Sequence, residues 1–491
     1  MAYIGNSPAL KYASFAVQHF TTSATTGYTL DNAVTNENGI ALFVNNERQQ
    51  PGASYAYTVS GTTLTLSAAT TTSDTMYCVF IGKAVQTVTP PVNSVGTSQL
   101  ATDAVTTVKI LDAAVTAAKT SGVPTLFLPN AQQMIINSDM AVSQRATTVT
   151  GITNGGSGYH ALDRFQYQEG GSATAVWTMT QETLTSGNAW DAGFTTALKM
   201  DCTTAEASIA ANVTERIDTW LEINDLNSWK KGTTNAEKIT LAFWIKATKT
   251  GTQIVEMQDQ VNDRACSQAY TVDATDTWEH KVVNFPADTT GAFGTGITTG
   301  LKVRFWLTAG SEYQSSALQT TWGAATTAER AEGQVNNADS TSNNWHLTGV
   351  QMEVGEYTSS DLPPFRFESY GDNLARCQRY YQKLTGSYEA YGQIMNGHYQ
   401  GTTQFQGAVV YPVEMRAAPS ISATQTSSND SSSAYAVANG GTDYIDQLIL
   451  YNQNAKSTLI YTDSSASGTS GGAGNLYVNT TITECALVAE L

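Results

Sequence analysis

The residues best suited to chemistry are clustered carboxylates, scattered thiols and imidazoles, and two strands that pair tryptophan with a cation. Carboxylates gather twice, as Glu256, Asp259 and Asp263 and as Asp273, Asp276 and Glu279. Two carboxyls about 5 to 9.5 Å apart across a groove are what glycoside hydrolysis requires. The chain, however, holds 42 Asp and Glu against 25 Lys and Arg, a formal charge of −17. In so acidic a chain such clusters are expected on solvated turns. The five cysteines, Cys78, Cys202, Cys266, Cys377 and Cys485, lie far apart with no CxxC pair. A zinc site or disulfide framework needs closer or paired spacing, so they read as reduced structural thiols in a protein assembled in a cytosol. His19, His160, His280, His346 and His398 are equally dispersed, with no HxH or HExxH. No GxSxG elbow, P-loop or zinc signature is present. The expectation is a non-enzymatic protein with no catalytic residue, no metal and no cofactor.

The two strands offer a different chemistry. They are Leu241-Ala-Phe-Trp-Ile-Lys246 and Leu301-Lys-Val-Arg-Phe-Trp-Leu307. Side chains alternate between the two faces of a strand. Leu241, Phe243 and Ile245 therefore share one face, and so do Leu301, Val303, Phe305 and Leu307. Trp244 and Lys246 point the other way, as do Lys302, Arg304 and Trp306. A face bearing Trp, Lys and Arg suits sugar stacking, which makes Trp244, Lys246, Arg304 and Trp306 the candidate glycan-facing residues. The alternative is that these Trp lie under a loop or in a subunit interface, where Trp and Arg are also enriched.

The elements that must position these residues are mostly strands. A length of 491 residues predicts about three domains. Charged residues make up 14% of the chain, against about 25% in an average soluble domain. Thr, Ser, Gly, Asn and Gln take their place, the vocabulary of strands and turns. The acidity argues against nucleic acid, whose phosphates need Lys and Arg. No apolar run of about 18 residues exists, so no membrane insertion is expected, and Met1–Leu10 lacks the features of a secretory signal.

Strand-like text runs from Phe15 to Gly82, with Val59–Leu64 reading as a hairpin. Pro90-Pro91 closes that part. A ten-residue repeat follows, Ala104–Lys109 and Ala114–Lys119, in which Val105, Val108, Leu111, Val115 and Ala118 form a narrow apolar stripe. A stripe this thin makes sense against copies of itself, as a short trimer stalk, or else the segment is an Ala/Thr-rich linker. The region from about Asn130 to Glu368 contains all nine Trp. Beyond Pro363-Pro364 a helix is predicted over about Asn373–Lys383, capped by Ser369 or Asp372. Its buried stripe is Leu374, Cys377, Tyr381 and Leu384, and Arg376 and Arg379 are read as solvated cations near its C-terminus. From Tyr388 to Leu491 strands return, among them Gly407–Tyr411 and Gln447–Tyr451, separated by polar turns over Thr424–Ser433 and Thr462–Gly474.

Several phrases carry a family resemblance. Tyr28–Ser67, YTLDNAVTNENGIALFVNNERQQPGASYAYTVSGTTLTLS, resembles a module found near the N-termini of bacteriophage tail-fibre and other virion proteins. The repeats resemble shaft segments of trimeric phage fibres. MIINSDMAVSQR (Met134–Arg145), YHALDRFQY (Tyr159–Tyr167), LAFWIKA and the stretch Trp345–Lys383 resemble phage structural proteins with a jelly-roll domain similar to carbohydrate-binding modules. Val409–Ser422 resembles a motif of their terminal domain. The resemblance implies a mostly β chain: an N-terminal β-sandwich for particle attachment (1–89), a helical trimeric stalk (90–128), a central jelly-roll β-sandwich (129–370), and one helix with a C-terminal β-sandwich tip domain (371–491). It further implies a homotrimer in the virion, assembled in host cytoplasm. Its N-terminal domain would join tail, baseplate or capsid proteins, and its downstream domains would bind host cell-surface glycan. A head fibre or capsid decoration protein without receptor binding shares the same features. A cellular adhesion module would need a secretion signal.

Overall fold

The computed structural model describes residues 15–81, 133–385, 390–462 and 466–491. The chain divides into two compact units, Met1–Val115 and Thr116–Leu491. The stalk residues Val105, Val108, Leu111, Val115 and Ala118 lie outside the described residues. The mostly β expectation holds among the described residues.

In the first unit a four-stranded antiparallel sheet runs in the order Val17–Phe20, Met76–Phe80, Ile40–Val44, Glu47–Arg48. A second pair, Gly27–Val34 with Tyr57–Leu66, completes the core. The predicted hairpin at Val59–Leu64 is instead one continuous strand of ten residues. Its buried residues shift phase, from Tyr57 and Val59 to Leu64 and Leu66. The slip accompanies Gly61 at φ +61 and an irregular register against Val34. A bulge turns the same face inward on both halves of the strand, and the change of phase imitates a turn in the sequence.

The second unit opens with two six-stranded antiparallel sheets packed face to face. The first runs Glu279–Phe285, Ile239–Ala247, Asn344–Val354, Thr196–Thr204, Val176–Thr183, Thr148–Ile152. The second runs Gly323–Ala324, Arg264–Val272, Gly251–Asp259, Thr299–Ala309, Thr214–Glu222, Phe165–Gly170. Leu241, Phe243 and Ile245 from the first sheet meet Val303, Phe305 and Leu307 from the second in one fully buried core. Phe243 sets its ring edge-on to Phe305 at 5.0 Å between centroids. At one end of this sandwich Lys231 is fully buried. Its Nζ donates to Asp259 Oδ2 at 2.6 Å and to the carbonyls of Gly291 at 2.6 Å and Thr290 at 3.2 Å. Asp288 Oδ2 lies 3.0 Å away, and the Phe293 and Trp322 rings flank the ammonium at 5.0 and 5.4 Å. Oxygen ligands thus surround one ammonium that joins three loops.

A seven-stranded sheet follows, in the order Thr442–Ile445, Tyr435–Ala438, Ala473–Val478, Gln393–Gln400, Gln404–Val410, Ser457–Thr462, Leu448–Tyr451. Beside it lies a three-stranded sheet, Tyr381–Lys383, Cys485–Val488, Ser420–Ala423. The helix between the sandwiches spans Tyr370–Gln378, shorter than predicted. Ser369 caps it, accepting from the Asp372 N–H at 3.2 Å. It ends early because Tyr381–Lys383 is drawn into pairing with Cys485–Val488. Arg376 and Arg379 are not solvated cations. Arg379 donates to Glu222 at 2.8 and 2.9 Å, and Arg376 donates to the Gln133 carbonyl at 2.6 Å and to Glu368. Arg164 closes the same junction, donating to Glu490 at 2.5 Å and to the Trp220 carbonyl at 2.6 Å, with its guanidinium 3.6 Å from the Tyr380 ring centre. All five cysteines are buried free thiols. Burial pushes Cys78 and Cys202 up to about 11 and Cys266 and Cys485 up to about 12, and raises Cys377 well above its ordinary value.

Removing the Lys231 ammonium would leave Asp259 buried without its counter-charge. Lys231→Met is expected to cost about 3–5 kcal/mol, the usual result of breaking a buried pair from one side. Urea unfolding of the full chain, followed by tryptophan fluorescence, checks this. A loss below about 1 kcal/mol would show that the cage does not hold the sandwich.

Candidate functional site

The face of the second sheet turned away from the core carries three cross-strand rows. Antiparallel register places Trp220 beside Lys302 and Lys302 beside Gln258. The next row runs Gln166, Asp218, Arg304, Glu256, Ser267. The third sets Gln168 beside Arg216 and Arg216 beside Trp306. Directly opposed side chains on one face interact most strongly, and the middle row is a ladder of charge. Asp218 accepts from Arg304 Nε at 3.1 Å. Glu256 lies 3.6 Å from Arg304 Nη1 and accepts from Arg330 at 2.7 and 2.9 Å and from Trp306 Nε1 at 3.2 Å. Burial alone would push the Glu256 carboxyl up, but Arg330 and Arg304 outweigh it and hold it below its usual range.

Two cations on this face are met less fully: Arg216 has only a long ion pair and Lys302 has none among the described residues. Arg216 Nε stands 3.7 Å from Asp218 and its guanidinium 5.1 Å from the Trp306 ring, and it makes no hydrogen bond among the described residues. Lys302 Nζ lies 3.8 Å from the centre of the Trp220 ring, with no carboxylate in ion-pair range among the described residues. Burial, and then the neighbouring Arg304, lowers the Lys302 ammonium to about 8. Burial likewise lowers Arg216 to about 10. Beside them the Trp220 Nε1–H and the Gln258 Oε1 have no hydrogen-bond partner among the described residues. An aromatic ring and two partly exposed cations thus lie on rigid strands, above a buried donor and a buried acceptor that have no partner among the described residues. Such an array can bind a polar ligand that presents both flat apolar surface and hydrogen-bonding groups.

The four residues picked out by alternation do not share a surface. Trp244 and Lys246 belong to the first sheet, whereas Arg304 and Trp306 belong to the second. Trp306 is fully buried under the loop that follows its strand, packed on Ile254, Tyr313, Leu318 and Ala331. It cannot face a glycan. Arg304, 6% exposed, is held by Asp218 and Glu256. Lys246 Nζ lies 5.3 Å from the Trp278 ring and 3.8 Å from Glu182. Trp244 lies 5.0 Å from the His280 ring, tilted by 33°, and lines a cleft of about 230 Å³ with Phe194, Gln351, Pro363 and Phe365. Of the carboxylate clusters, Glu256 faces Arg330 and Asp259 faces Lys231. Asp273 and Glu279 both pair with Lys281. Sequence reasoning missed Trp220, Arg216 and Arg330. The alternation of Ile217, Thr219 and Leu221 against Arg216, Asp218 and Trp220 marks the outward side chains of that strand, but Arg330 sits in a loop with no pattern at all.

No family model and no curated protein matches the chain. Among solved structures it is similar to the enzymatically active domain of tailspike protein 4 of bacteriophage CBA120, with 11% identity over 39% of this chain and a TM-score of 0.22. The chain spans 19% of the length of that protein. It is also similar to the family 11 carbohydrate-binding module of a cellulosomal cellulase of Clostridium thermocellum, with 7% identity, 41% of this chain, 94% of that chain and a TM-score of 0.22. A third is the CBM22-1–CBM22-2 tandem domain of Xyn10C from Paenibacillus barcinonensis, with 11% identity, 74% of this chain, 98% of that chain and a TM-score of 0.20.

Because the folded Lys302 ammonium titrates near 8 and an unfolded lysine near 10.5, the unfolded chain holds the proton across that window and the folded chain releases it. Stability from this group therefore rises with pH between those values. The difference in unfolding free energy between wild type and Lys302→Met, measured in urea from pH 7 to 10, is expected to move in favour of wild type. A flat difference would place Lys302 in an ordinary solvated setting.

Proposed function

We propose that this protein is a non-enzymatic phage virion fibre that attaches the particle to its host by recognising surface glycan. The outward face of the second sheet in the central sandwich is the binding face. The observation that carries this reading is the row Trp220, Lys302, Gln258, where a half-buried indole and a half-buried ammonium without an ion pair among the described residues sit on three hydrogen-bonded strands. Sugar recognition needs that combination: a flat ring for the apolar side of a pyranose and fixed donors and acceptors for its hydroxyls. Rigid strands hold the array with little ordering cost on binding. The motif likenesses at Tyr28–Ser67 and Met134–Arg145 support the virion setting, with the N-terminal unit docking to the particle. Three copies joined by the stalk at 90–128 would convert weak single sites into firm attachment.

A glycan array probed with the full chain, combined with mass photometry, tests this. The expected result is a trimer that binds a defined set of bacterial surface glycans. Trp220→Ala is expected to weaken that binding at least tenfold while leaving the melting temperature within about 3 °C. A trimer with no glycan or cell-surface binding would favour a capsid decoration role. Antibody against the C-terminal region, seen by electron microscopy, should label tail and not capsid.

A further inference from the structure

The charges on the candidate face do not balance. Four cations, Arg216, Lys302, Arg304 and Arg330, face two carboxylates, Asp218 and Glu256. Arg304 and Arg330 are committed to those carboxylates. The excess therefore resides on Arg216 and Lys302, at either end of the rows. This occurs in a chain with a formal charge of −17, so a local positive face is contrary to the molecule as a whole. Arg216 is 12% exposed; Asp218 gives its Oδ2 to Arg304 and leaves Oδ1 3.7 Å from Arg216 Nε, an ion pair too long for a hydrogen bond. A guanidinium with five donors in a fixed fork and no acceptor is best satisfied by a planar or tetrahedral oxyanion. Lys302 is held against the Trp220 ring, between Gln258 and the Arg304 row. A neutral sugar would leave Lys302 without a counter-charge, and Arg216 with only its long pair to Asp218, in a poorly solvated setting.

We propose that the glycan taken by this face is acidic, with carboxylate or phosphate substituents that meet Arg216 and Lys302 while a sugar ring lies along Trp220. This rests on the glycan-binding reading and narrows its ligand to an anionic saccharide. The overall negative charge of the chain repels polyanions elsewhere, so selectivity for an acidic polymer reports on this face. Raising salt weakens such binding, because exposed charges are screened beyond about 8–10 Å at physiological strength.

The test is isothermal titration of the full chain with three polymers: polygalacturonate, its fully methyl-esterified form, and poly(glycerol phosphate). The expected result is that at least one of the two polyanions binds tenfold or more tightly than the ester. The one that binds identifies carboxylate or phosphate as the recognised group. Arg216→Met and Lys302→Met should each lower that affinity at least fivefold, and Lys456→Met, an exposed cation distant in sequence, should leave it unchanged. Two variants at opposite ends of the rows keep the test decisive if one of them misfolds. Equal binding of acid and ester, polyanion binding untouched by either variant, or no polyanion binding at all overturns the proposal. If a glycan array still finds neutral ligands lost in Trp220→Ala, the glycan-binding reading survives while its acidic version falls. If the array finds no ligand, the broader reading falls as well.

Discussion

The second unit depends on one buried charge. The Arg164 side chain is 1% exposed and bonds at once to the Glu490 carboxylate, the Trp220 carbonyl and the face of Tyr380. Taking a guanidinium out of water costs several kcal/mol unless its donors are met. Arg164 therefore requires the strand Thr214–Glu222, the segment after the helix and the end of the last strand region to arrive together. Arg145 adds a second bond to Glu490 at 2.9 Å and rests 3.7 Å from the Tyr381 ring centre. The phrases that carry the family resemblance, around Arg145 and Arg164, are thus the ones that build this junction. They are structural, and their reach extends to the candidate face through the backbone of Trp220.

The same economy of charge recurs elsewhere. Few side chains are charged, yet the cations are seldom on the surface alone. Lys231 stands in an oxygen cage, Arg379 grips Glu222, Arg330 grips Glu256, and Arg304 bridges Asp218 to Glu256. Strands rich in Thr, Ser and Gln form the sheets, and ion pairs fix loops and segments to them. Against this background Arg216 and Lys302 stand out, because neither performs that structural task.

Much of the architecture was legible in the sequence. Alternation identified the core faces of Ile239–Ala247 and Thr299–Ala309, and every aliphatic residue assigned to them is buried. What alternation cannot convey is which strand lies beside which. Two strands with the same Trp-and-cation pattern fell in opposite sheets, and the partner that matters for Lys302 is Trp220, supplied by cross-strand register. Burial of Trp306 was equally hidden, because it depends on a loop with no periodic signal. The helix was located by its Ser369 cap, but its end was decided by pairing with a strand about a hundred residues later. The bulge at Gly61 read as a turn, since a phase slip and a reversal leave the same trace in a sequence.

The sealed cysteines have a practical consequence. Maleimides and similar reagents attack the thiolate, and every native thiol here is buried and protonated at neutral pH. A single cysteine introduced on an exposed turn, such as at Ser431 or Ser470, would stand alone as a reactive handle. The wild-type background could then carry one dye or spin label per chain without first being stripped of its own sulfur, which turns a packing detail into a route for following these molecules one at a time.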